Sequence, residues 1–329
     1  MRRKVEYANF GSAGVKVSRL ALGLGFRGQS DEAEAQRVIE AAIDSGINLI
    51  DCANVYGLMD DRANIGRSEV VLGRALKGKR DDVVITSKVA SEIGPGPNDI
   101  GLSRYHILRE VERSLRRLDT DHLDVYLVHS YDETTPLDET LSALDSLVRD
   151  GKIRYFGVCN FTAWQVCKAL WTSGRNGQES LICVQNPYSL MNRSLEDEMF
   201  GMVADQGLGL MAYSPLAVGL LSGMYSADEP APGGSLWATN RKAVFDAALD
   251  GDRGRTLAAV QEIARETGKT PAQVALAWVL SHPEVTVAIT GGDTIAHLED
   301  NLGAVGWNLD DDQIARLNEA SSSLSTVLD

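Results

Sequence analysis

Apolar positions along this chain fall into two alternating periods. Short unbroken runs such as Leu49-Ile50, Val83-Val84-Ile85 and Val125-Tyr126-Leu127-Val128 read as strands buried on both faces. Between these runs the apolar residues recur at the spacing of an amphipathic helix. In residues 31–45, Val38, Ile39, Ala42 and Ile43 share one face, Ser30 is the expected N-cap and Gly46 the stop. Ahead of the alternation, residues 5–18 read as a hairpin: Val5, Tyr7 and Phe10 enter a Gly-Ser-Ala-Gly turn, and Val15 and Val17 return.

The predicted strands are 19–25, 48–51, 83–88, 123–128, 154–158, 181–185, 208–213 and 285–289. The predicted helices are 31–45, 67–77, 104–118, 138–149, 162–173, 194–206, 252–267 and 294–304, with a further helix at 310–320. Strands alternating with helices imply a parallel sheet. So many units in 329 residues predict an α/β chain folded as a closed (β/α)8 TIM barrel, with an N-terminal β-hairpin and a C-terminal extra helix. An open doubly wound sheet is the alternative. No Pro/Gly-rich linker or shift in composition divides the chain, so a single domain over 1–329 is expected.

Composition narrows the partners. The chain is 44% hydrophobic, enough for a large core, and carries 32 basic against 46 acidic residues, a net charge of −14. That balance opposes nucleic acid and anionic membrane and favours a small ligand. No apolar run reaches the roughly 18 residues of a membrane span. Met1-Arg2-Arg3-Lys4 is basic but no apolar run follows, so no secretory signal is expected. Cys52, Cys159, Cys167 and Cys183 show no metal-ligand spacing. No metal is expected, and free thiols fit a cytoplasmic location.

Gly23-Leu24-Gly25-Phe26-Arg27-Gly28 matches the GxGxxG outline of a dinucleotide-binding turn, with Asp51 about 20 residues on. That mechanism needs the glycines to open a helix. Here the helix signal comes later, so the glycines are read as a loop above the first barrel strand.

In such a barrel, chemistry gathers at the C-terminal strand ends. Those ends supply Asp51 and, in the following loop, Tyr56; then Lys88, His129, Asn160, Gln185 and Tyr213-Ser214-Pro215. A Lys closing an apolar strand needs a partner for its ammonium, and Asp51 is the nearest candidate. Singly, each has a bland reading: a cap, a loop aromatic, a snorkelling Lys, a satisfied core His. Together they form a constellation.

Asp51, Tyr56, Lys88 and His129 resemble the catalytic tetrad of the aldo-keto reductases. Gly157-Val158-Cys159-Asn160-Phe161, Gln185-Asn186-Pro187-Tyr188 and Tyr213-Ser214-Pro215-Leu216 are similar to that family in the same order. Gly219-Leu220-Leu221-Ser222-Gly223-Met224-Tyr225 is similar to members related to potassium-channel β subunits and bacterial sugar-type reductases. The resemblance implies an NAD(P)(H)-dependent oxidoreductase acting on an aldehyde or ketone, or on the matching alcohol. It makes Tyr56 the general acid/base, with Lys88 lowering its pKa, Asp51 holding Lys88, and His129 orienting the carbonyl. It also places Asn160 and Gln185 on the nicotinamide carboxamide, Tyr213 on the ring, and Ser214, Leu216 and Gly219 along the pyrophosphate. Gly291, Asp293, His297, Asp300 and Asn301 fall at the adenosine end.

Two positions depart from the family pattern. Cys159 stands where Ser is usual. Asp293 lies where many relatives carry a cation or Ser for the 2′-phosphate of NADP. A carboxylate repels that phosphate and accepts from a 2′-hydroxyl, which favours NAD(H) over the family default. Phe26, Arg27, residues 57–66, Ser130-Tyr131-Asp132, Trp237 and the 321–329 tail are expected at the pocket mouth. Residues 217–250 are expected to form a long loop over the cofactor. A polar pocket points to a polyol, sugar or sugar-derived aldehyde. Two other readings stay open: a nucleotide-binding, redox-sensing regulatory barrel resembling channel β subunits, and a lyase using Lys88 as a Schiff base. Asp51 argues against the lyase by keeping the amine protonated.

Overall fold

The computed structural model describes residues 5–226, 230–232, 236–239 and 251–324. A hairpin comes first, with β1 (Tyr7–Asn9) antiparallel to β2 (Lys16–Ser18). The barrel strands are β3 (Leu20–Gly23), β4 (Leu49–Asp51), β5 (Val84–Val89), β6 (Leu123–Val128), β7 (Ile153–Cys159), β8 (Cys183–Pro187), β9 (Gly209–Tyr213) and β10 (Val285–Gly291). They pair in parallel in that order, and β10 returns to β3 to close an eight-stranded barrel. The open-sheet alternative is excluded by that closure.

The helices of the outer layer are α1 (Glu32–Asp44), α2 (Arg67–Ala75), α3 (Arg104–Leu118), α4 (Leu137–Arg149), α5 (Ala163–Asn176) and α6 (Met199–Gln206). They continue with α7 (Leu236–Thr239), α8 (Asp252–Thr267), α9 (Pro271–Ser281), α10 (Ile295–Leu302) and α11 (Asp311–Ala320). The extra C-terminal helix, α11, packs across α8.

Three local readings change. The cap of α1 is Asp31, not Ser30: its carboxylate accepts from the N–H groups of Ala33 and Glu34. The helix expected over 194–206 divides into a 3-10 turn at Ser194–Glu196 and α6. α9 was not foreseen, although Thr270 and Gln273 form a capping box around Pro271. Its residues from Val274 to Val279 are buried all round, so it lacks the polar face that makes a helix visible as a period. Of the loop expected over 217–250, residues 227–229, 233–235 and 240–250 lie outside the described residues, as do 325–329 of the tail.

Inside the barrel, alternate residues of each strand point to the axis. Ala21, Leu49, Val84, Val125, Leu127, Cys183, Met211 and Val287 form an apolar plug. Phe10 of the hairpin joins it from the N-terminal end, and Ser12 N–H donates to the Gly207 carbonyl at 2.7 Å. Gly209 makes room for Phe10, since a Cβ there would lie 2.5 Å from a ring carbon. The hairpin is therefore a floor for the barrel. Towards the strand C-termini the inward positions become polar: Asp51, Thr86, Lys88 and Gln185, all buried.

Candidate active site

β4 and β5 set the centre by register. Asp51 stands opposite Thr86, so Lys88, two residues on and on the same face, rises beside it. Lys88 Nζ donates to Asp51 Oδ2 at 2.7 Å and to the Cys52 carbonyl at 2.9 Å. The Lys88 side chain has no solvent exposure and Asp51 almost none. A buried pair of this kind holds only when the remaining lone pairs are satisfied. They are: Thr86 Oγ1 at 2.5 Å and Gln185 Nε2 at 2.9 Å both donate to Asp51 Oδ1. Burial works against the Lys88 ammonium, but Asp51 beside it more than offsets this and holds its pKa above the ordinary value.

Tyr56 and His129 complete the cluster. Lys88 Nζ lies 4.7 Å from the Tyr56 ring centroid. The Tyr56 and His129 rings meet edge to face, with centroids 5.8 Å apart and planes at 76°. Burial pushes the Tyr56 phenol above its ordinary pKa, while Lys88 pulls the other way without cancelling it. This corrects the expectation of a lowered pKa: the pull of Lys88 is present, but desolvation of the phenolate is larger. Burial first, then the Lys88 charge, push the His129 imidazole down to about 3. His129 is thus neutral at neutral pH, and its Nδ1 lies 3.2 Å from the Ser91 hydroxyl.

The next ring of predicted residues divides into a mouth and a rim. At the mouth, Asn160 Nδ2 donates to the His129 carbonyl at 2.9 Å, and the Tyr213 hydroxyl donates to Asn160 Oδ1 at 2.9 Å. Asn160 sits at φ 58°, a left-handed conformation that Asn tolerates better than most residues. Gln185 is turned inward to Asp51, which leaves its amide oxygen as the group available to a ligand. Cys159 lies in the apolar plug below, where burial holds its thiol protonated well above the ordinary range. Beyond β9, Ser214, Ala217, Val218 and Gly219 all have positive φ (51°, 49°, 55° and 87°). The N–H groups of Ala217, Leu220, Leu221 and Ser222 donate to carbonyls within this turn, which leaves those of Val218 and Gly219 without an acceptor among the described residues, and Leu216 lies inside the turn. A Cβ at Gly219 or Gly291 would meet nothing within 4 Å, so both flank open space.

At the rim, Asp293 bridges two segments. Its carboxylate accepts from Gly28 N–H at 3.0 Å, and its carbonyl accepts from Gln29 Nε2 at 2.6 Å. Burial raises its carboxyl pKa against the Gly28 bond. The glycine run is therefore a loop latched to the end of β10, and α1 opens only at Glu32. With Asp51 on Lys88, the dinucleotide-turn reading of 23–28 is excluded. Three predicted rim residues lie on α10. His297 is exposed. Asp300 accepts from Thr270 Oγ1 at 2.9 Å and Gln273 Nε2 at 2.8 Å, and Asn301 Nδ2 donates to the Gly291 carbonyl at 3.2 Å. Asp300 and Asn301 thus also brace the ends of α9 and β10. Trp237, expected at the pocket mouth, is fully buried and its indole donates to the Val218 carbonyl at 3.1 Å.

Sequence reasoning missed Thr86 and Ser91, which hold Asp51 and His129. Thr86 was detectable: it shares the inward face of β5 with Lys88. Ser91 carried no such signal, because it lies beyond the strand.

A closed parallel barrel with buried, mutually satisfied polar groups at its strand C-termini defines a (β/α)8 protein of the enzyme type. A sequence model of the Aldo/keto reductase family matches residues 19–322. The chain is 38% identical over 323 residues to the uncharacterized oxidoreductase YrpG of Bacillus subtilis (strain 168), covering 96% of this chain and 95% of that protein. It is 35% identical to a probable voltage-gated potassium channel subunit beta of Arabidopsis thaliana (92% and 91% covered). It is 31% identical to L-glyceraldehyde 3-phosphate reductase of Escherichia coli (strain K12), with 92% and 88% covered. The chain belongs to the aldo/keto reductase family, a family of oxidoreductases that generally use NAD(P)H. Among the described residues no helix is long and apolar enough to cross a membrane, and no group of three or more His, Cys, Asp or Glu could hold a metal ion.

Proposed function

We propose that this protein catalyses carbonyl reduction, or the reverse alcohol oxidation, with Tyr56 as the proton donor. The observation that carries the reading is the buried Lys88–Asp51 pair at 2.7 Å, lying against the Tyr56 ring with a neutral His129 beside it. When bound, the nicotinamide supplies the hydride. A phenol held above its ordinary pKa stays protonated at neutral pH, the state required of a general acid. Lys88 stays charged through Asp51 and stabilises the phenolate once its proton has gone to the nascent alkoxide. Neutral His129 is suited to hydrogen-bond a carbonyl oxygen and set its direction towards Tyr56. In the oxidative direction the same phenolate takes the proton back.

The dinucleotide fits the groups present. Asn160 and Gln185 offer amide groups at the mouth, Tyr213 an aromatic face, and the left-handed turn the N–H groups of Val218 and Gly219, with Ser214 and Leu216 beside them. Gly291, Asp293, His297, Asp300 and Asn301 form the rim for the adenosine. Asp293 supports a preference for NAD(H), because its carboxylate opposes a 2′-phosphate. The Gly28 bond holds that carboxylate in place. Titration of both reduced cofactors into the unaltered protein and Asp293→Ser tests this. NADH is expected to bind more tightly to the unaltered protein, and the substitution to narrow the gap. Tighter NADPH binding by the unaltered protein contradicts the preference.

The substrate class that the polar mouth favours is a polyol, sugar or sugar-derived aldehyde, to be tested by a panel of such compounds. The similarity to a channel subunit beta favours a second reading, a nucleotide-binding regulatory barrel. Tight cofactor retention without turnover of any carbonyl in the panel would select it.

A further inference from the structure

The His129 imidazole has one hydrogen-bond partner among the described residues, the Ser91 hydroxyl, 3.2 Å from Nδ1. The backbone of His129 is held on both sides. Its N–H donates to the Val89 carbonyl at 2.8 Å, and its carbonyl accepts from Asn160 Nδ2 at 2.9 Å. Nε2 makes no hydrogen bond among the described residues. A ring turned over would set a C–H against the Ser91 hydroxyl and lose that bond.

The backbone leading to Ser91 is strained. Ala90 is buried and takes φ 133°, a conformation that favours glycine. Such strain persists only where the surroundings over-determine it, and it gathers at functional sites. Here the Val89 carbonyl is taken by His129 N–H, and the Ala90 carbonyl accepts from Gly101 N–H at 2.8 Å. The strained step thus lies between β5, which carries Lys88, and the hydroxyl that reaches His129.

A neutral imidazole carries one proton, on Nδ1 or on Nε2. With the proton on Nδ1, the ring would donate to Ser91 Oγ. The Ser91 hydroxyl hydrogen would then have no acceptor, because Nδ1 is the only one it meets among the described residues. With the proton on Nε2, the hydroxyl donates to Nδ1 and both groups are satisfied. The partner of one ring nitrogen in this way decides the state of the other. We propose that Ser91 is a positioning residue that donates to Nδ1 and so fixes His129 as the Nε2–H tautomer. The consequence for catalysis rests on the oxidoreductase reading. A carbonyl oxygen only accepts, so His129 serves it through Nε2–H, whereas the other tautomer would present a lone pair.

Nitrogen NMR of the isotope-labelled full chain tests the tautomer without any need for turnover, since protonated and unprotonated ring nitrogens differ widely in shift. The chain has five histidines, and His129→Gln identifies the His129 signals by their loss. The unaltered protein and Ser91→Thr are expected to show the Nε2–H form, and Ser91→Ala a mixture of both forms. The Nδ1–H form in the unaltered protein, or unchanged His129 signals in Ser91→Ala, overturns the proposal. Kinetics read the consequence. Ser91→Ala is expected to lower kcat by about tenfold, the worth of one neutral hydrogen bond, with cofactor affinity unchanged, and Ser91→Thr to restore most of it. An equal loss of kcat in Ser91→Thr, with its tautomer intact, would overturn the catalytic consequence. Absence of turnover in the unaltered protein, with the Nε2–H form present, would contradict the oxidoreductase reading and leave the role of Ser91 standing.

Discussion

Lys88 is the side chain on which the centre depends energetically. Its ammonium sits with no exposed surface beside Asp51, Thr86 and Gln185. Removing the cation leaves a buried carboxylate with donors but no countercharge. Lys88→Met is therefore expected to lose about 3–5 kcal/mol of stability in denaturant unfolding, with a good part recovered in Lys88→Met combined with Asp51→Asn. A loss below about 1 kcal/mol would mean that the pair behaves like a surface bridge. His129 makes a pH prediction. Its folded pKa, about 3, lies below the ordinary 6.5, so between those values the unfolded chain binds more protons than the folded one. Stability then falls as pH drops through that window. In thermal melts, His129→Gln is expected to show a shallower fall than the unaltered protein. Parallel curves would contradict the desolvated imidazole. Asp51, Lys88 and His129 were legible in sequence because each ends a buried strand. The direction of the Tyr56 pKa was not, because it depends on how deeply the phenol is packed.

At the scale of elements, the strand–helix rhythm was legible wherever an amphipathic face met solvent. It failed at α9, whose buried faces leave no polar stripe, and at the 3-10 turn of 194–196, where one apolar pattern served two conformations. The hairpin was visible from its turn, but its role was not. Only the close approach of Phe10 to Gly209 reveals it as the floor of the barrel. Gly209→Ala would place a Cβ 2.5 Å from the Phe10 ring and 3.0 Å from the Gly11 nitrogen. Overpacking of this kind is expected to cost about 1–3 kcal/mol, read by denaturant unfolding with the hairpin intact. Unchanged stability would show that the floor is loosely seated. Likewise, the GxGxxG spacing of 23–28 misleads as a motif and makes sense as a loop latched by Asp293.

For the whole molecule, closure of the barrel turns scattered sequence positions into one site. Asp51 and Gln185 are 134 residues apart in the chain and 2.9 Å apart in space. Sequence reasoning could bring them together only by assuming the closed fold, and could not foresee that Gln185 faces Asp51. Of the supporting residues, Thr86 could have been read from the face it shares with Lys88, whereas Ser91 stayed hidden because its role arises from the path of the loop beyond β5. The central claim is that this assembly makes Tyr56 a proton donor to a carbonyl. Its most direct test is carbonyl reduction followed by nicotinamide absorbance, with Tyr56→Phe beside the unaltered protein and cofactor affinity measured for both. The account predicts cofactor binding within error of the unaltered protein and kcat reduced by about 100-fold or more. Full reduction by the protein lacking the phenol would contradict it.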